Sequence, residues 1–301
     1  MRRSVWLGAM AGIGLVAVCV PSISAARAAN ATVSATVPGG NCGGTVLPKP
    51  GGGTWQCSFD DEFTGTALNT ANWVVQQTAT SGYTTGQAPG IVCYVKSPNN
   101  VSVSGGDLNL TVRKEAKPVN CGGGYTSPYS GGMVSSYQLF TQTYGLYQVR
   151  AKLPATTVKG LQETLWLWPA NDTKFGAWPA SGEIDFSEFY SQYSTLDVPY
   201  IHYVPAKPDP NVTAYNCTIS PGQFNTYGLQ WTSTSLTVTV NAKTCLVDQW
   251  NPAAPLVAPE PFNQPFFIAL TQALGIGTNA FVPGTTPLPA TTQVDWVRVW
   301  K

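Results

Sequence analysis

Apolar and polar residues alternate one by one along several short stretches of the chain. Residues 144–153 (YGLYQVRAKL), 235–241 (SLTVTVN) and 293–300 (QVDWVRVW) all keep this period of two. Side chains on a β-strand point to opposite faces in turn, so the pattern predicts half-buried strands. Turn residues separate them. Residues 100–104 (NVSVS) run into Gly105-Gly106-Asp107, and 107–113 (DLNLTVR) follows, which is a hairpin signal. A second turn lies at the centre of LQWTSTSLTVTV. No segment of ten or more residues keeps a helical period. Many short strands without helices predict an all-β sandwich or barrel. No linker divides residues 55–301 and no internal repeat is visible, so one large two-sheet sandwich is expected there.

Composition narrows the class. Charged residues make up 10% of the 301, against roughly 25% in an average globular domain. Ten Trp and 11% aromatics argue against disorder. So few Lys and Arg give nucleic acid nothing to bind. At the N-terminus, Arg2 and Arg3 precede an apolar run from Val5 to Val20, with Ala26-Arg27-Ala28 as a cleavage signal. Residues 1–28 read as a secretory signal peptide, too short in its apolar run for a membrane span. Removing them leaves thirteen basic against fifteen acidic residues, a net charge of −2 that identifies no partner. Residues 29–54, rich in Gly, Pro and Thr, read as a flexible lead or a first strand tied down by Cys42. Six cysteines remain, an even number that points to three disulfides in a secreted chain. Sequence neighbours suggest Cys42–Cys57, Cys93–Cys121 and Cys217–Cys245. A monomeric extracellular protein is expected.

One stretch departs from this economy of charge. Residues 181–190 (SGEIDFSEFY) hold Glu183, Asp185 and Glu188 in an otherwise apolar strand. Alternation puts Glu183 and Asp185 on one face. Glu188 falls on the other, unless one extra residue, a β-bulge around Phe186–Ser187, brings it back. With the bulge absorbed, the two Glu stand four pleat steps apart, roughly 13 Å. Side chains leaning toward each other bring the carboxyl groups to about 5 Å, the separation used by retaining glycosidases. A calcium site or a solvated acidic face would use the same residue types. A solvated face would not be bordered by Trp178, Phe186, Phe189 and Tyr190.

The hexapeptide Glu183-Ile184-Asp185-Phe186-Ser187-Glu188 resembles the E-x-D-x-x-E signature of glycoside hydrolase family 16. Ordered flanks share the resemblance: FDDEFTGTALNTANW (59–73), GLYQVRAKLP (145–154), LWLWPAN, AWPASGEIDFSE, FNTYGLQWTSTSLTVTVN (224–241) and QVDWVRVW. It implies a concanavalin-like β-jelly-roll sandwich with a concave cleft and a retaining endo-β-glycosidase needing no cofactor for catalysis. Glu183 would be the nucleophile and Glu188 the general acid and base. Asp185 would orient Glu183 and tune the protonation of the three, which titrate as one set. A polysaccharide is the expected partner, most simply a β-1,3- or mixed β-1,3/1,4-glucan. A galactan, or glycosyl transfer to a sugar, would use the same machinery. A non-catalytic carbohydrate-binding sandwich is the contrasting class.

The resemblance also assigns further residues. Trp166 and Trp178 are placed in the cleft, with Tyr190 beside them and Trp168 in the core. His202, the only histidine, falls on the strand following the catalytic one, near the leaving group. Gln272 falls on a strand that lines the cleft. Asp295 falls where relatives hold a structural calcium. Two positions depart from many β-1,3-glucanases of the family: Gln162, in GLQETLW, replaces an aromatic, and Gly131-Gly132-Met133 lacks an Arg.

Overall fold

The computed structural model describes residues 41–301; the expected signal peptide lies outside them. Among the described residues strands carry almost all of the regular structure, and the one α-helix is a four-residue turn at Thr78–Ser81. The front sheet runs in the order Tyr200–His202, Glu183–Tyr190, Leu161–Pro169, Phe266–Leu274, Thr126–Ser135. The back sheet runs Asp107–Asn120, Ala290–Trp300, Gly145–Lys152, Phe224–Trp231, Leu236–Val240, Lys243–Asp248. The long Asp107–Asn120 strand joins the two. Its first half pairs with Ala290–Trp300 and its second with Thr126–Ser135.

The expected alternation is present. In Gly145–Lys152 every second residue is buried, beginning with Gly145, and Leu236–Val240 repeats the pattern. The hairpin at Gly105-Gly106 closes with Ser104 opposite Asp107. Both glycines take positive φ, +69° and +88°, as a two-residue turn between right-twisted strands requires. The core lies between the sheets. Leu165, Leu167, Ile184, Phe186 and Ile268 from the front meet Val149, Leu229 and Val294 from the back. Burying each such side chain contributes about 1.5–3 kcal/mol.

All three neighbour disulfides form as expected. The segment from Asn41 is tied down by Cys42, which is fully buried, and by the Gly43 amide donating to Asp60. Among the described residues no helix is long and apolar enough to cross a membrane.

Candidate active site

The Glu183–Tyr190 strand lies between its antiparallel neighbours Tyr200–His202 and Leu161–Pro169. Asp185 stands opposite Trp166, but Ser187 stands opposite Leu165, so Phe186 is the extra residue of a bulge. Glu188 then stands opposite Thr164. Trp166 and Thr164 share a face, so the bulge returns Glu188 to the side of Glu183 and Asp185. Ile184, Phe186 and Phe189 pack into the core behind them. The strand is entered through Gly182, whose φ is +84° and where a Cβ would lie 2.9 Å from the Phe262 ring. Only glycine fits that approach.

Each carboxylate has its own partners. Trp178 donates its indole N–H to Glu183 Oε2 at 2.6 Å. His202 Nε2 lies 3.0 Å from Asp185 Oδ2. Gln162 Nε2 donates to Glu188 Oε1 at 3.0 Å. The His202 ring stacks on Tyr200, 4.2 Å between centroids, and the tilted Trp178 ring lies 5.3 Å from it. Trp178 is 38% exposed and so offers an open indole face.

Burial pushes all three carboxyl groups upward. Asp185 rises well above the usual range, from desolvation and then the Glu188 charge. Glu188 is raised by desolvation, with His202, Tyr190 and Gln162 pulling it back. Glu183 is pushed up to about 8, by desolvation first and the Asp185 charge second, against His202 and Trp178. A raised acid suits proton donation by Glu188. For Glu183 the direction runs against a nucleophile, which must be ionised. A proton on Asp185 removes the second of the causes that raise Glu183, and the Trp178 donor favours ionisation there; desolvation, the largest cause, remains.

The remaining sequence assignments divide. Trp166 lies on the cleft face, nearly buried, and donates to the Thr271 hydroxyl at 2.9 Å. Trp168, expected in the core, shares that face and is half-buried, edge-on to Trp166 at 5.7 Å. Tyr190 stands opposite Gln162, beside Glu188. Gln272 does not line the cleft. It is 0% exposed, donates to Glu163 at 2.5 Å and accepts from Thr292 at 2.8 Å, so it faces the interior. Its neighbour Thr271 takes the cleft face, opposite Thr164. Met133 is buried opposite Thr271 and fills the position where an Arg was missing.

The Arg150 guanidinium holds the Asp295 carboxylate. The nearby Asp107 is raised by burial and then by Asp295, and Lys152 and Arg150 lower it. Two cations beside two carboxylates leave calcium little net charge to bind, which weighs against the expected ion at these side chains.

Sequence reasoning singled out Gln162 only as a departure and missed Thr271 and Tyr200. Counting back from Trp166 in steps of two reaches Gln162, and that parity was the available signal.

The bulge and the comparisons point the same way. A β-sandwich that gathers Glu183, Asp185 and Glu188 on one face of one strand has the paired carboxylates that glycoside hydrolysis uses. Residues 92–296 match the model of glycosyl hydrolases family 16, more than half of the chain, and the chain belongs to that family. It is 30% identical over 264 residues to a glucan endo-1,3-beta-glucosidase A1 of Niallia circulans, covering 81% of this chain and 37% of that protein. A keratan-sulfate endo-1,4-beta-galactosidase of Sphingobacterium multivorum is 30% identical over 58% of this chain and 40% of its own length. The chain therefore spans about two fifths of these relatives. Among solved structures, a non-specific endo-beta-1,3(4)-glucanase of the same family, crystallised with 1,3-beta-D-cellotriosyl-glucose, superposes with a TM-score of 0.70 at 25% identity. That match covers 88% of this chain and all of the other.

Proposed function

We propose that the protein is a secreted, monomeric endo-β-glycosidase that hydrolyses β-1,3- or mixed β-1,3/1,4-glucan with retention. The observation that carries this reading is the bulge at Phe186, which puts Glu183 and Glu188 on one face. In the first step the ionised Glu183 oxygen bonds the anomeric carbon as the glycosidic C–O bond breaks, and the Glu188 proton passes to the leaving oxygen. In the second, water bonds the same carbon, the ester to Glu183 breaks, and a water proton returns to Glu188. Asp185, held by His202, carries a proton that keeps Glu183 charged. Trp178 supplies an apolar wall for a sugar face. No metal is needed for these steps. The printed activities of the glucanase relatives support the polymer; three disulfides support an oxidising, extracellular location.

Reducing-end release from laminarin, lichenan and agarose, beside Glu183→Gln, tests the reading. Activity on a glucan that disappears in the variant is expected. Equal inactivity of both on every polymer sinks it. A galactan is the second reading. The keratan-sulfate relative and the departures at Gln162 and Met133 favour it, and activity confined to agarose would select it. Products longer than the substrate would instead mean glycosyl transfer. A non-catalytic binding sandwich would show a glucan-dependent rise in melting temperature without new reducing ends.

A further inference from the structure

Gln162 sits on the cleft face of the front sheet, between Ala273 on one neighbouring strand and Tyr190 on the other. It is 8% exposed. Its amide makes one polar contact, the 3.0 Å bond from Nε2 to Glu188 Oε1. Its own Oε1 is buried without a partner.

Burying an amide with one atom unsatisfied costs stability. A leucine would fill the same space without that cost. A scaffold residue would tie its amide to backbone or to a second side chain, as Gln272 does with Glu163 and Thr292. The one polar bond that the Gln162 side chain makes is therefore to Glu188. The orientation follows from chemistry, since an ionised carboxylate only accepts and the amide must turn its N–H toward it.

We propose that Gln162 is a positioning residue for the acid and base of the reaction: its N–H marks one Glu188 oxygen as acceptor and leaves the other to carry the mobile proton. This rests on the glycosidase reading of the site. In the first step the proton leaves the unmarked oxygen for the glycosidic oxygen. In the second, the same oxygen receives the proton of the attacking water. One donor serves both steps because the proton returns to the oxygen it left.

Other groups face Glu188 as well. They are the carboxylates Glu183 and Asp185, His202 across the sheet, the tyrosines Tyr190, Tyr200 and Tyr215, and Asp197. None of them is itself replaced in a Gln162 variant. Removing its donor therefore changes one influence on Glu188, which lowers the acid's affinity for its proton.

The test is Gln162→Leu. Loss of a donor to the charged form raises the Glu188 pKa. The alkaline limb of kcat/KM on the best substrate should move up by about one pH unit, with kcat down about tenfold and KM nearly unchanged. Gln162→Glu keeps a donor only while protonated, so its rate should approach the parent's in acid and fall as pH rises. A uniform loss at all pH values, with the limb in place, overturns the proposal. A second readout needs no substrate: the carbon-13 titration of the Glu188 carboxyl in glutamate-labelled parent and Gln162→Leu protein. Identical titrations overturn the proposal too. An upward shift in a protein that cleaves none of the polymers upholds the pairing and sinks only the glucanase reading.

Discussion

The indole of Trp178 and the carboxylate of Glu183 meet at 2.6 Å, although Trp178 lies in the loop before the strand that carries its partner. A charge-assisted bond of this kind contributes about 1.5–3 kcal/mol. Trp178→Phe keeps an aromatic wall and removes the donor. Its loss raises the Glu183 pKa, so the acid limb of kcat/KM should move to higher pH. At neutral pH the rate should fall about tenfold to a hundredfold. A pH profile with an unmoved acid limb would assign Trp178 to sugar stacking alone.

Glu188 acts on both halves of the proposed reaction, and the two halves can be separated. A leaving group of low pKa needs no acid, so Glu188→Ala should still release an aryl alcohol from an activated aryl glucoside. Hydrolysis of the intermediate then lacks its base. Added azide should restore turnover and give the β-glycosyl azide, because it attacks the face that the leaving group vacated. Recovery of the α-azide, detected by NMR of the product, would mean inversion instead of retention.

Glu163 lies behind the site in the sandwich interior, fully buried, with Oε1 bound by Gln272 and Oε2 without a partner. Burial pushes its carboxyl from 4.5 up to about 8. The folded state holds a proton that the unfolded state releases. Its contribution to stability is therefore complete below pH ~4.5 and declines as pH rises toward 8. Glu163→Gln keeps the shape and the bond from Gln272 but cannot ionise. It should melt close to the parent at pH 4 and above it at pH 8, by an amount on the order of a few kcal/mol. A gap between melting curves that ignores pH would contradict a neutral buried acid.

Asp295 is held by Arg150, and both side chains are about one-third exposed, 32% and 39%. An exposed pair of this kind is worth roughly 0–1 kcal/mol. Chelator treatment should leave the melting temperature unchanged, and Asp295→Asn should lower stability by no more than about 1 kcal/mol. A fall in melting temperature with chelator, restored by calcium and absent in Asp295→Asn, would place an ion there.

What the sequence by itself determined is set by local rules. Alternation along 145–152 and 236–240 gave strands and their buried faces, because the pleat repeats every two residues. The spacing of Glu183, Asp185 and Glu188 required one extra residue, and the bulge supplies it at Phe186. Disulfides between sequence neighbours were legible for the same reason of locality. The failures sit where alternation vanishes. Phe266–Leu274 is buried on both faces, so nothing along it says whether Thr271 or Gln272 looks into the cleft. Only register against Leu161–Pro169, distant in sequence, decides that point. The same holds for Gln162 on Glu188 and Arg150 on Asp295. Arg150 and Asp295 lie on strands far apart in the chain, and Gln162 meets Glu188 on the next strand only through the bulged register between the two. A one-residue slip in register would turn every side chain to the other sheet face, so these contacts are fixed by how the strands pack.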